Sequence, residues 1–213
     1  MATKLQIISE LSEQTTLHLT DNYQKWASFL KTAAANYKYP FHDQVLICAQ
    51  RPDATACAEI ELWNKHFERW VNKGAKGIAL LEDSGNGYKL RHVFDISDTH
   101  DRYNRPVNIW KMNERYEELV IESLSNTFGE LENNKSLSSA IISAVSNSVD
   151  DNFSDYFEAV VDSKEDSFLE ELDELNIEVR LKEILINSIA YMVLYRSGVN
   201  PDNMFSFEDF RYI

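Results

Sequence analysis

Residues 63–96 read WNKHFERWVNKGAKGIALLEDSGNGYKLRHVFDI, and this stretch decides how the chain is organised. After Gly77 the reading is of period-two alternation, in Ile78 and Leu80 and in Tyr88 and Leu90, followed by Val93-Phe94-Asp95-Ile96. Between them sits Ser84-Gly85-Asn86-Gly87, a turn of the kind that closes hairpins. Before Gly77, cations alternate with aromatics: Lys65, Phe67, Arg69, Trp70, Lys73 and Lys76, broken by Gly74 and Gly77. Such a surface suits a single-stranded nucleic acid, whose bases stack on rings while its phosphates meet Lys and Arg.

Helical spacing flanks this hairpin. Leu5 to Leu19 carries Leu5, Ile8 and Leu11 on one face. Thr20-Asp21-Asn22 reads as a cap for a helix from Tyr23 to Tyr37 that buries Trp26, Phe29, Leu30 and Ala33. Pro40 opens a short helix over Phe41 to Gln50, which stops before Arg51-Pro52. Thr55 to Ala58 reads as extended and Glu59 to Phe67 as helical, with Trp63 in the core. Helices and strands are mixed rather than regularly alternating, which predicts an α+β class over a doubly wound sheet.

The second half changes character. Asn113 to Phe128, Lys135 to Val149, Asp166 to Leu175 and Ile177 to Tyr195 predict an all-helical region, with Gly129, Gly198 and Pro201 as stops. The expected organisation is a mixed helix and antiparallel-hairpin domain over residues 1–113, followed by an acidic helical domain over 114–213. No internal repeat or low-complexity segment is visible.

Charge follows the same division. The chain carries −14, but residues 1–113 hold 14 Lys and Arg against 13 Asp and Glu, while residues 114–213 hold 7 against 22. A polyanion is repelled by the second half, so nucleic-acid contact belongs in the first. No apolar run approaches the roughly 18 residues needed to cross a bilayer, and the N-terminus lacks a cationic start followed by an apolar block. Cys48 and Cys57 are too few for a disulfide scaffold, and reduced thiols in a cytoplasmic protein are the expectation.

Enzymatic motifs are absent: no G-x-x-x-x-G-K-[ST] loop, no G-x-G-x-x-G and no H-E-x-x-H. The five histidines have no metal-ligand spacing, so neither a metal nor another cofactor is expected. Cys48 and His42, six apart, are read as a structural thiol and an unrelated imidazole. His100-Asp101-Arg102 reads as a solvated loop with local ion pairs. Asp150-Asp151, Glu165-Asp166, Glu170-Glu171 and Asp173-Glu174 read as the solvated face of acidic helices. The Lys73-Gly-Ala-Lys-Gly turn stands out, because its glycines let backbone amides approach a phosphate.

The block from Tyr39 to Thr99 resembles the N-terminal domain of the ArdC antirestriction proteins. The resemblance rests on Ile60-Glu-Leu-Trp-Asn64, Val71-Asn-Lys-Gly-Ala-Lys-Gly-Ile78 and Val93-Phe-Asp-Ile-Ser-Asp-Thr99. The whole chain is also similar to the N-terminal region of large helicase/methylase-like proteins of Firmicutes mobile elements, through Asp166-Ser-Phe-Leu-Glu-Glu-Leu-Asp-Glu-Leu175 and Phe207-Glu-Asp-Phe210. The resemblance implies a single-stranded DNA-binding module serving antirestriction. It carries no catalysis, because the helicase and zinc-peptidase motifs of those proteins are missing here.

On this reading Lys65, Arg69, Lys73, Lys76, Lys89 and Arg91 contact phosphates, and Arg102 and Arg105 extend the track. Trp70 and Tyr88 stack on bases, with Tyr39 as a further ring. The alternative is a protein-binding inhibitor of antirestriction or anti-CRISPR type. Its Glu170, Glu171, Asp173 and Glu174 would occupy the nucleic-acid groove of a host nuclease.

Overall fold

Thr3 starts the first helix. Its hydroxyl accepts from the Gln6 amide while the Gln6 side chain accepts from the Thr3 amide, so two otherwise orphaned donors are satisfied. The computed structural model describes residues 2–103, 105–107, 109–167 and 169–213. It is α+β and divides into two units, Met1–Trp110 and Lys111–Ile213, each described by itself.

In the first unit, α1 (Lys4–His18), α2 (Tyr23–Ala35, capped by Asn22) and α3 (Phe41–Gln50, begun at Pro40) precede β1 (Cys57–Ala58) and α4 (Ile60–His66). Four strands follow: β2 (Arg69–Val71), β3 (Ile78–Asp83), β4 (Tyr88–Asp95) and β5 (Thr99–Asp101). They form two antiparallel sheets, β1-β4-β3 and β2-β5. The expected hairpin is β3–β4, running in register from Ile78 opposite Val93 to Asp83 opposite Tyr88. In its turn Ser84 bonds Gly87 O through both its amide and its hydroxyl, and Gly85 at φ +79° and Gly87 at φ +128° take backbone angles that other residues resist.

The main core forms where α1 and α3 cover this hairpin, with Ile8, Leu46, Ile47, Ile78, Leu80 and Val93 buried together. Gln50 closes the free edge of β3. Its side-chain amide donates to Ala79 O at 2.8 Å and accepts from Ala79 N at 2.9 Å, replacing a strand partner. A smaller core forms around Trp63, Phe94 and Ala58, with Val71 and Ala75 against it, and Trp63 Nε1 donates to Phe94 O at 2.9 Å. At Gly77 the chain runs close to this core, and a Cβ there would press on the Phe94 ring at 3.0 Å and on His92 Cβ at 3.2 Å. Trp26, expected in the core, is only half-buried, with its ring 5.5 Å from that of Phe29.

Among the described residues the regular elements of the second unit are all helices: α5 (Glu117–Phe128), α6 (Leu137–Asp162) and α7 (Glu174–Arg196), with short 3-10 turns before α5 and after α7. Leu137 N bonds the Glu117 side chain, and Asn147 Nδ2 bonds Phe128 O, so α5 and α6 run in the same direction. The chain returns between them along 129–136, held by Ser143 and Asn147 and by buried Leu131. After α7, Phe205 and Phe210 pack on Tyr191, whose hydroxyl donates to Asp202 at 2.6 Å.

Three expectations need correction. The helix expected over Lys135 to Val149 continues to Asp162. The acidic helix expected over Asp166 to Leu175 does not form: the described residues there are in turns, Asp166 has φ +58°, and α7 starts only at Glu174. The cause is local competition. Ser163 and Ser167 hydroxyls bond nearby carbonyls, and Asp173 spends its carboxylate capping α7 through Asn176 N. Finally, nothing in the sequence pattern announces β2 and β5, and Asp101 is buried in β5 rather than in a solvated loop.

Asp95 ties the end of β4 to the segment that leads into β1. Its buried carboxylate accepts from the amides of Thr55, Ala56 and Ser97 and from Ser97 Oγ. Burial alone would push its pKa up, but these hydrogen bonds, that of the Ser97 hydroxyl first, hold it below the ordinary 3.8. A lowered folded pKa gives stability that is complete above the unfolded value and is lost as pH falls through the folded one. Asp95→Asn should therefore cost roughly 1–3 kcal/mol at neutral pH, and the gap to the parent should narrow below the ordinary carboxylate range. Urea titrations followed by tryptophan fluorescence measure this, since all four tryptophans lie in the first unit.

Candidate nucleic-acid interface

Strand alternation sorts the β2–β5 ribbon into two faces. The register places Arg69 opposite Asp101, Trp70 opposite His100 and Val71 opposite Thr99. Val71 packs on the Trp63 core, and Arg69, Thr99 and Asp101 are buried, so Trp70 and His100 are left on the outer face. Trp70 is 45% exposed, and its ring centre lies 6.4 Å from that of His100. Asn72 Oδ1 sits 2.7 Å from His100 Nδ1 and orients the imidazole, while Asn72 N donates to Asp98 O and extends the ladder by one bond.

The ribbon's ends carry the cations. Beyond β2, Lys73 and Lys76 flank Gly74, which holds φ +88° in an open turn. Beyond β5, Arg102 is followed by Tyr103, 69% exposed, with the Arg105 guanidinium 5.1 Å from its ring centre. Lys73, Lys76 and Arg102 are exposed and, among the described residues, make no ion pair. Arg105 Nε donates to Asp101 at 2.7 Å. Burial would push the Asp101 carboxyl up, yet the bonds from Arg105 and from the Arg105 and Tyr103 amides keep it below the ordinary value.

Several expected contact residues lie elsewhere or are already committed. Arg69 is only 8% exposed. Its guanidinium donates to Thr99 Oγ1 at 2.7 Å, Thr99 O at 2.9 Å and Arg105 O at 3.0 Å, so it ties the strands and is not a phosphate contact. Arg91 is also corrected: it is paired with buried Asp43 and, at 3.3 Å, with Glu59, and it lies over the Tyr39 ring. Burial pushes the Asp43 carboxyl up, with Arg91 opposing.

Tyr39 is no free ring. Its hydroxyl donates to Cys57 O at 2.9 Å, and burial, with Cys57 next, pushes its pKa up to about 12. Tyr88 and Lys89 are exposed on the other sheet, at the β3–β4 tip, opposite Asp83 and Glu82, and Lys89 pairs with Glu82 at 3.2 Å. Lys65 pairs with Glu61 on α4 at 3.2 Å, an exposed pairing that holds it only weakly.

Sequence reasoning passes over His100 and Tyr103 as contacts. No periodicity could reveal them, since β5 is three residues long and polar. In the second unit, Glu170 and Glu171 are exposed in the turns before α7, Asp173 caps α7, and Glu174 is its first residue. The four therefore do not form one helical face. Among the described residues, no cluster of three or more His, Cys, Asp or Glu side chains could hold a metal ion, and no helix is long and apolar enough to cross a membrane. Comparison with protein-family models, curated proteins and solved structures found no match to this chain.

The geometry separates structural from surface cations, and chemical denaturation checks the separation. Arg69→Gln should cost on the order of 2–4 kcal/mol, because it leaves the Thr99 and Arg105 carbonyls without their charged donor. Lys73→Gln, Lys76→Gln and Arg102→Gln should each change stability by less than about 0.5 kcal/mol.

Proposed function

We propose that this chain is a non-catalytic, single-stranded DNA-binding protein of a mobile element, acting in antirestriction through the outer face of the β2–β5 ribbon. The observation that carries this reading is the exposed Trp70–His100 ring pair, bounded by three cations that no carboxylate neutralises among the described residues. Bases stack on rings regardless of sequence, and lysine or arginine at either end meets the backbone phosphates. Tyr103 with Arg105 continues the surface past β5. The antirestriction role rests on the resemblance of Tyr39 to Thr99 to ArdC proteins.

Overall acidity does not oppose this reading. In the first unit the carboxylates of Asp43, Glu59, Glu61, Glu82, Asp98 and Asp101 are each held by a lysine or arginine. The alternative, an acidic inhibitor of a host nuclease, has less geometric support, because Glu170 and Glu171 lie in turns instead of repeating along a helix.

Fluorescence anisotropy with labelled oligonucleotides tests the proposal. Single-stranded DNA should bind at low salt with micromolar or better affinity and exceed duplex of the same length. Trp70→Ala should weaken binding by about 1–3 kcal/mol. Replacing Lys73, Lys76 and Arg102 by Gln should reduce the salt slope by about 0.7 for every phosphate left without its cation. No binding at low salt, or binding indifferent to Trp70 and to these three cations, would overturn it.

A further inference from the structure

In the second unit a cleft of about 410 Å³ opens beside the C-terminal end of α6 and residues 211–213. Val160 of α6 and Ile177, Leu181 and Ile184 of α7 give it apolar walls, and Tyr212 and Ile213 border it. Its volume lies within the roughly 300–1,000 Å³ typical of small-molecule sites. Two cations, Arg180 and Arg211, line the same cleft.

These arginines are unusual for their surroundings. The second unit holds 22 Asp and Glu against 8 Lys and Arg, yet neither guanidinium makes an ion pair with a carboxylate among the described residues. Both instead lie against the Tyr212 ring, at 4.9 Å and 4.7 Å from its centre. Since each is within 5 Å of one point, the two guanidinium carbons are at most about 10 Å apart. Arg180 is half-buried and Arg211 exposed, and with neither matched by a carboxylate an anion that reaches both gains two charge-assisted partners.

We propose that this cleft binds a small anionic amphiphile, its acidic head on the guanidinium groups of Arg180 and Arg211 that line the cleft and its apolar tail along α6 and α7. The guanidinium fork matches the paired oxygens of a carboxylate or a phosphate head, while the aliphatic walls take an unbranched tail without hydrogen-bonding demands. The site lies in a different unit from the nucleic-acid surface and does not depend on that reading.

Isothermal titration calorimetry on the full chain tests the site with decanoate, decyl phosphate, decanol and acetate, each below its micellar concentration. Decanoate or decyl phosphate should bind with a Kd in the micromolar range, and the tighter of the two identifies the head group. Decanol should bind at least about tenfold more weakly and acetate not measurably, because head and tail both contribute. Arg180→Gln and Arg211→Gln should each weaken binding about tenfold, whereas Lys135→Gln in the same unit should leave it unchanged. Circular dichroism confirms that the variants keep their helix content. Equal binding of decanol and decanoate, affinity indifferent to both arginine variants in folded protein, or no heat from either anion would overturn the proposal.

Discussion

Arg69 points inward, and the candidate surface follows from that single orientation. Its guanidinium bonds Thr99 twice and Arg105 O once, fastening β2 to β5 across thirty residues of chain. Side chains alternate along a strand, so an inward Arg69 and an inward Val71 leave Trp70 no place but the outer face. The same alternation on β5 buries Thr99 and Asp101 and turns out His100. A one-residue slip would exchange the faces, burying the rings and exposing the arginine. A charged side chain thus acts as the register pin of a ribbon too short to be fixed by apolar packing alone.

Around this ribbon the first unit handles charge in two ways. Several cations are paired within the fold, Arg51 on Asp98 and Arg91 on Asp43 and Glu59, while Arg105 holds Asp101 yet stays exposed. Each such pairing removes a carboxylate from the surface potential as well as a cation. Lys73, Lys76 and Arg102, which pair with no carboxylate among the described residues, sit where the ribbon's strands end. Net charge summed over the whole chain therefore says little about the potential near Trp70, because screening confines each charge to a Debye length of about 8–10 Å at ordinary salt.

The β3–β4 hairpin is legible in the amino-acid pattern because two apolar segments long enough to be strands flank a glycine turn, although burial falls off toward the tip instead of alternating along them. The helices α2, α3 and α7 are legible through caps and apolar spacing, to within a few residues at their ends. The ribbon is not, because Arg69-Trp-Val and Thr99-His-Asp have no pattern of their own and are defined by pairing across the chain. For the same reason composition singles out Arg69 and Arg91 as cations but cannot reveal that both are consumed by internal partners. The acidic segment before α7 misleads in the opposite sense. Its residues have helical spacing, but Ser163, Ser167 and Asp173 bond the local backbone and break it into turns.

If the outer face of the β2–β5 ribbon receives the nucleic acid, and no other surface of the first unit does, the aromatic side chains should report it. Nuclear magnetic resonance of the tryptophan, histidine and tyrosine ring signals, during titration with a short single-stranded oligonucleotide, reads this out residue by residue. The Trp70 indole and His100 ring signals should shift progressively with added DNA. The Trp63 indole, bonded to Phe94 O inside the core, and the Tyr88 ring at the hairpin tip should stay in place. Shifts confined to the Tyr88 ring, with Trp70 and His100 unmoved at saturating DNA, would contradict a ribbon-borne site.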